Sequence, residues 1–345
     1  MNNRPNLFQI ATKELSQDAF FTWLILFADK KYAKTDPRLN QCSKEFVAEL
    51  IKTQYSSFSE DIEEVIAERQ WKNIDIIATV NNKYFIVIED KTYTKQHNKQ
   101  LERYRVDAHK HCSANDFLDP VLVYIKTGNE SIRSLSNVEK EGYSIFDREK
   151  LISVFNNYKD IENNIFSDFV ENLLNLDNRY NKFLSKEIDQ WGYNDWEGFH
   201  QFIDKELDLD DINWGYANNP AGGFWWSAFS WFDWKYNSAI YMQLEQNKSR
   251  LCFKVEIDSD NKEKDPSKVR NELYKLIIEE AKKAGLFEIK KPDRFGSGAY
   301  MTFAIIEQEY WLGKGTLDKS KVIENIMKYQ EFFSNFQEKY MEHIS

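Results

Sequence analysis

The sequence predicts an α/β architecture, a mixed β-sheet flanked by helices, followed by a C-terminal α+β lobe. Runs rich in Val, Ile, Tyr and Phe alternate with segments whose apolar residues recur at three- and four-residue spacing, the order expected of strands and helices packed in layers. At 345 residues the chain exceeds one ordinary single-core domain, so two domains are expected. The composition shifts near residue 180, beyond which aromatic residues crowd into "GGFWWSAFSWFDW", Gly222 to Trp234. The expected domains are therefore 1–180 and 181–345.

Residues 14 to 28, "ELSQDAFFTWLILFA", place Leu15, Ala19, Phe20, Trp23, Leu24 and Phe27 on one helical stripe, and Glu14 opens the helix. A second helix is expected over Ser43 to Tyr55, with Ser43 as its N-cap. The period then changes. "EEVIAERQW", "NIDIIATVNNKYFIVIEDKTY" and "DPVLVYIKT" predict strands near 64–71, 74–80, 84–91 and 121–126. Between the last two, "KQHNKQLERYRVDAHKHC" sets Leu101, Tyr104 and Ala108 at helical spacing, and "YSIFD" precedes a helix from "REKLISVF". The helical stretch from "DFVENLLNLDNRYNKFLSKEID" to "WEGFHQFIDKEL" is expected to connect the lobes.

The second lobe reads as strands in "AIYMQLEQ", "RLCFKVEID" and "AYMTFAIIE", a helix in "PSKVRNELYKLIIEEAKKAG" and a last helix from about Lys319 to Tyr340. "FWWSAFSWFDW" is expected to be a strand buried on both faces, with base or ligand stacking as the competing reading. "KKPDRFGSG", Lys290 to Gly298, is a basic loop able to touch phosphate, whereas "GSG" at Gly296 and "GKGT" at Gly313 lack the setting of a phosphate-binding loop and read as turns.

With 42% apolar and 30% charged residues, the composition is that of a folded soluble protein, not a disordered or fibrous one. The net charge of −10 argues against coating nucleic acid by bulk electrostatics, which needs a surplus of Lys and Arg, but allows a local basic groove. Cys42, Cys112 and Cys252 are odd in number and scattered, which suits reduced thiols and neither a disulfide framework nor structural zinc. His109 and His111 stand two apart on a helix and cannot form a metal pair with Cys112. No basic segment leads into an apolar run at the start, and no stretch approaches the roughly 18 apolar residues a spanning helix needs. A cytoplasmic protein without a membrane partner is expected.

The charges of the second hairpin then need a reason. Side chains alternate along a strand, so Glu89 and Lys91 share a face and Asp90 points to the other. A two-residue loop, Asn81 and Asn82, would pair Val80 with Lys83 and leave Asp75 opposite Ile88, away from Glu89. A three-residue loop, Asn81 to Lys83, pairs Val80 with Tyr84 and sets Asp75 opposite Glu89, their Cβ atoms roughly 4.5 to 5.5 Å apart. Two carboxylates that close are costly unless a cation sits between them or one takes up a proton. Two carboxylates and a backbone carbonyl are hard oxygen ligands suited to Mg²⁺, and a neighbouring lysine can orient or help deprotonate a water. The expected chemistry is phosphodiester hydrolysis; the alternative is a solvent-facing hairpin with a cross-strand ion pair.

Asp75 followed by Glu89-Asp90-Lys91, with "YFIVIE" leading into the triplet, resembles the PD-(D/E)XK nuclease superfamily, whose restriction-endonuclease-like core is a helix, an antiparallel strand set, a helix and a further strand. The resemblance spans residues 10 to 130. It implies that Asp75 and Glu89 ligate Mg²⁺, with Mn²⁺ as a substitute, that the Asp90 main-chain carbonyl completes the site, and that Lys91 positions the attacking water. Glu14 resembles the acid that many members bring to the metal from their first core helix. Gln100 and Tyr104, in "QLERY", look like the Gln-Leu-x-x-Tyr motif of RecB-type members, which supports the active site and contacts substrate.

Acid-x-Lys triplets also occur at Asp29, Asp233, Glu280 and Glu288, but only the one at Glu89 ends an apolar strand with an Asp placed on its hairpin partner. No proline precedes Asp75, a departure from the motif's name. The implied function is a metal-dependent nuclease, with DNA the expected substrate, of the restriction or phage-defence kind. The C-terminal lobe is expected to serve substrate choice, homo-oligomer contacts or regulation. The competing expectation is a non-catalytic nucleic-acid-binding or sensor protein that keeps the core as a scaffold, against which the three retained charges speak.

Overall fold

The computed structural model describes residues 4–96, 99–220, 222–257 and 265–341. The chain divides into two compact units, one of residues 1–130 and 134–179 and the other of residues 131–133 and 180–345. The first opens with helices α1 (Leu7–Ile10), α2 (Glu14–Phe27) and α3 (Pro37–Lys52), followed by strands β1 (Val65–Trp71), β2 (Ile74–Val80) and β3 (Tyr84–Lys91). Then come α4 (Gln100–Ala114), β4 (Val121–Lys126), α5 (Ile132–Lys140), β5 (Ser144–Asp147), α6 (Arg148–Asn156) and α7 (Asn164–Asn181).

The five strands lie in sequence order, antiparallel from β1 to β3 and parallel from β3 to β5. Helices cover both faces, which is why β3 and β4 are almost continuously apolar. Ile76, Ile86 and Ile88 face Phe20, Phe46, Phe155 and Phe169 of α2, α3, α6 and α7. Ile77, Phe85 and Val87 face Leu101, Tyr104 and Ala108 of α4 and Val138 of α5. The alternation continues to the strand's end, sending Glu89 to the α4 side and Asp90 to the α2 side.

Two asparagine-containing turns set the registers. β1 and β2 are joined by Lys72 and Asn73, both at positive φ, the geometry that favours asparagine in a two-residue hairpin. Between β2 and β3, Val80 pairs with Tyr84 and Ile76 with Ile88, the three-residue-loop register, with Asn81 and Asn82 at φ 52° and 49°. The Asn81 side chain accepts from the Glu63 N–H at 2.9 Å and donates to the Asp61 carbonyl at 2.8 Å, pinning the turn to the segment before β1.

Two helices differ from their sequence reading. Leu15 and Ala19 of α2 are exposed, whereas Phe21, Leu24, Ile25 and Ala28 are fully buried; the inward stripe begins at Gln17 and Asp18, and polar residues at its start turn Leu15 outward. α3 starts at Pro37, not near Ser43, because Asp36 caps it by accepting from the Leu39 N–H at 3.0 Å and Pro37 suits the first helical position. Ser43 is buried in mid-helix.

The second unit contains α8 (Tyr193–Glu206), β6 (Asn213–Ala217), β7 (Phe224–Trp234), β8 (Ser238–Glu245), β9 (Arg250–Ile257), α9 (Pro266–Lys283), β10 (Tyr300–Ile306), α10 (Gln308–Trp311) and α11 (Lys319–Met341). Asp258, at the end of the expected third strand of this lobe, lies outside the described residues. Its sheet is wholly antiparallel, in the order β10-β9-β8-β7-β6. Phe199, Ile203, Leu273, Ile277, Ile326 and Phe333 of α8, α9 and α11 form the core with it.

The aromatic strand β7 is therefore not buried on both faces. Trp225, Phe229 and Trp234 enter the core, while a bulge between Phe229 and Phe232 leaves Trp231 39% exposed and stacked on Tyr241 at 3.9 Å. In the basic loop, Lys290 meets Glu307 at 3.1 Å and Asp293 meets Arg250 at 2.8 Å, so part of its charge is satisfied internally. All three cysteines are free and buried. Among the described residues no helix is long and apolar enough to cross a membrane.

Candidate active site

The C-terminal end of β3 gathers the expected triad. Continuing the observed register places Asp75 opposite Glu89, and both carboxylates meet the Lys91 ammonium, Glu89 Oε1 at 2.5 Å and Asp75 Oδ2 at 3.3 Å. Lys91 also donates to the Asp90 carbonyl at 3.0 Å, and Asp75 Oδ2 accepts from the Asp90 N–H at 3.0 Å. Glu89 is fully buried, so removal from water and the negative charge of Asp75 push its pKa up to about 8 even with the ammonium beside it. Burial works against a charged Lys91, but Glu89 and Asp75 override it and hold its pKa above the ordinary lysine range.

On the other face of β3, the Asp90 side chain meets α2. Gln17 Nε2 donates to Asp90 Oδ1 at 2.5 Å, and Gln17 Oε1 accepts from the Thr127 hydroxyl at 3.0 Å. Asp18 stands beside Asp90, with the Arg69 guanidinium at 3.8 Å. Burial and the charge of Asp18 raise the Asp90 pKa, while burial and Asp75 raise that of Asp18 to about 6. Gln17 and Asp18 escaped the sequence reading. Their signal was available: polar residues three and four positions after Glu14, at the head of an apolar stripe.

Glu14 lies near this centre but does not touch Asp75 or Glu89. Its Oε1 accepts from the Thr92 N–H at 3.0 Å and the Thr94 hydroxyl at 2.8 Å, holding the segment that follows Lys91. Burial raises its pKa, but these bonds and the Lys91 charge outweigh that and keep it lowered. The same segment is held from β4, where buried Lys126 donates to the Thr94 carbonyl at 2.6 Å and pairs with Glu130 at 3.1 Å. Gly128 is required there, since a Cβ would stand 2.0 Å from the Thr92 carbonyl oxygen.

Gln100 and Tyr104 are one turn apart on α4 and act as a bracket. Gln100 Nε2 donates to Glu89 Oε1 and to the Tyr104 hydroxyl, both at 2.9 Å, and that hydroxyl donates to the Asn73 carbonyl in the β1–β2 turn. Glu89 is thus oriented by a helix that is itself anchored to the neighbouring hairpin. Beside this bracket lies a cleft of about 700 Å³ whose lining includes Lys99, Arg103 and Lys110.

The donor set fits a hard divalent cation. Three oxygens, from Asp75, Glu89 and the Asp90 carbonyl, already surround one cationic atom, Lys91 Nζ, and Glu89 Oε2 is buried without a hydrogen-bond donor. Among the described residues no cluster of three or more His, Cys, Asp or Glu side chains forms a metal cage. Two carboxylates and a carbonyl nonetheless match the way Mg²⁺ is held, with water completing its shell.

No curated protein and no solved structure matches the chain. A family model described as the PD-(D/E)XK nuclease superfamily matches residues 5–191, more than half of the 345 residues. That span includes every residue of the centre on β2, β3 and α2 and the bracket on α4, and the mixed sheet flanked by helices is the restriction-endonuclease-like fold; the chain belongs to the PD-(D/E)XK nuclease superfamily.

Proposed function

We propose that this protein is a Mg²⁺-dependent phosphodiester hydrolase acting on DNA, with Mn²⁺ able to substitute. The observation that carries the reading is the convergence of Asp75 Oδ2, Glu89 Oε1 and the Asp90 carbonyl on one cationic position at the end of β3. Asp75, Glu89 and the Asp90 carbonyl would hold the metal, which when bound supplies Lewis-acid polarisation of the phosphoryl group and offsets its charge. Lys91, fixed by the oxygens around it, donates to the attacking water or to a phosphate oxygen; its raised pKa suits an orienting donor better than a proton acceptor.

Gln100 keeps Glu89 in one rotamer, and Tyr104 keeps Gln100 in place. Glu14 contributes by holding Thr92 and Thr94 and through its charge near Lys91. Residues 1–180 are assigned the chemistry, and 181–345 substrate choice, homo-oligomer contacts or regulation. A restriction or phage-defence role in the cytoplasm follows the resemblance of the core to such effectors.

The test is incubation of the pure protein with plasmid, linear duplex DNA, single-stranded DNA and RNA, in Mg²⁺, Mn²⁺ or chelator. Metal-dependent cleavage, absent from Asp75→Ala and Lys91→Ala variants that keep the wild-type circular dichroism spectrum, supports the assignment. Equal cleavage by wild type and both variants removes it. No cleavage of any substrate and no protection of the first unit by metal would favour a non-catalytic binding protein.

A further inference from the structure

We propose that the cleft between the start of α2, the segment after β3 and α7 receives a single unpaired nucleotide, internal to the strand whose backbone crosses the Asp75, Glu89 and Lys91 centre. This rests on the nuclease reading above and adds the substrate form: single-stranded or locally opened nucleic acid. The cavity is about 430 Å³, within the range of small-ligand pockets.

Its position ties it to the chemistry. Thr92 lines it one residue after Lys91, and Gln17 lines it from the face of β3 that carries the Asp90 side chain, opposite the face of Glu89 and Lys91. Its charge is opposite to that of the chain: Lys13 and Arg179 line it, no acid does, and the protein as a whole carries −10. Both are exposed, and among the described residues neither is engaged in an ion pair. Glu14, although adjacent to Lys13, directs its Oε1 to Thr92 and Thr94 and is not part of the lining.

The remaining polar lining suits a base. The Asn172 amide offers a donor and an acceptor of the kind that reads a Watson–Crick edge once pairing is broken, and Tyr93, 61% exposed, presents a ring for stacking. Two cations, an amide and an aromatic face next to the proposed phosphodiester-cleaving centre describe a nucleotide better than a bare phosphate, which has no use for the last two.

The experiment uses the full chain and fluorescence anisotropy in chelator and in Ca²⁺. The probes are a fluorescein-labelled oligothymidylate of about twelve nucleotides, with and without a 5′-phosphate, and a blunt duplex of equal length. Wild type is expected to bind the single strand at least about ten-fold tighter than the duplex, and the K13A/R179A double variant to lose about ten-fold for the single strand and less than about two-fold for the duplex. Arg179→Glu alone, at an exposed position, serves as the second variant should the double variant lose its circular dichroism spectrum.

Equal affinity of wild type for the two forms, or a pocket variant that binds the single strand as wild type does, overturns the inference. A loss confined to the 5′-phosphorylated probe assigns the cleft to a terminal phosphate and also overturns it. Cleavage is read separately. Pocket-dependent binding by a wild type that cuts nothing removes the nuclease reading and keeps the cleft, whereas cleavage with pocket-independent binding does the reverse.

Discussion

At the end of β3 carboxylates crowd one another, Asp18 against Asp90 and Glu89 against Asp75, whereas on β8 and β9 the buried Glu245 meets Lys254 at 2.7 Å. Beside that pair, Arg250 binds Glu307 at 3.0 Å and Asp293 at 2.8 Å. Both sheets have five strands, so architecture does not explain the difference. A charge that serves only the fold is cheapest when paired, because the partner offsets its desolvation. Like charges crowded together at one strand end, with the pKa values of Asp18, Glu89 and Asp90 raised, are the pattern of a functional site.

The comparison breaks first through activity. Asp75→Ala and Lys91→Ala are expected to lower metal-dependent cleavage by at least about a thousand-fold, whereas Lys254→Ala in the second sheet should change only stability; a nuclease assay on the three variants decides it. Gln100→Ala should cost about ten- to a hundred-fold, since Glu89 then loses its orienting donor while keeping its charge. A shift in cleavage against metal concentration, rescued by raising Mg²⁺, distinguishes this role from a fold defect.

Metal sharpens the contrast in stability. With Mg²⁺ at about a hundred times its dissociation constant, the first unit should gain about 2.7 kcal/mol over chelator, measured by calorimetry or hydrogen exchange, and Asp75→Asn should abolish the gain. Substitution of one acid in each sheet gives opposite signs. In chelator, Glu89→Gln removes a buried acid crowded by Asp75 and should leave Tm equal or higher, while Glu245→Gln strands Lys254 and should cost about 1–3 kcal/mol. A destabilised Glu89→Gln would show that this acid serves the fold.

The smallest effect is a pH dependence of the second unit. His200 is fully buried with Nδ1 2.5 Å from the Ser227 hydroxyl oxygen, and burial lowers its pKa to about 3. Its folded pKa lies below the ordinary value of about 6.5, so the unfolded chain takes up the proton first. Stability is therefore intact above that value and is lost as pH falls from there toward 3. Tryptophan fluorescence reports this unit well, as only Trp23 and Trp71 of the ten tryptophans precede residue 180. The melting transition should drop between about pH 6.5 and 5, and His200→Gln should flatten the slope.

Much of this was readable along the chain. β1 to β4 follow from β-branched and aromatic runs, and the register of β2 on β3 from a loop of three residues with two asparagines in left-handed conformation. Asp75, Glu89 and Lys91 share a face for that reason, since pleat and turn are properties of neighbours in sequence. The start of α3 was misread because the cap at Asp36 and Pro37 outweighs the apolar pattern that begins later. β7 was misread because aromatic content says nothing about which face is covered; helices from both ends of the lobe cover only one.

The α2 contribution to the centre was the least accessible. Glu14, Gln17 and Asp18 lie on one side of a helix, and periodicity alone permits any of them to face the strand end. Packing of Phe20, Phe21 and Leu24 against Phe46 and Phe169 fixes the rotation that presents Gln17 and Asp18 to Asp90 and leaves Glu14 on Thr92. The bond from Gln100 to Glu89 likewise depends on where α4 lands on the sheet. Short-range chemistry specifies strands, turns and which charges share a face; the partners each charge meets depend on contacts between segments far apart in the chain, whose geometry is set by the collective packing of the core.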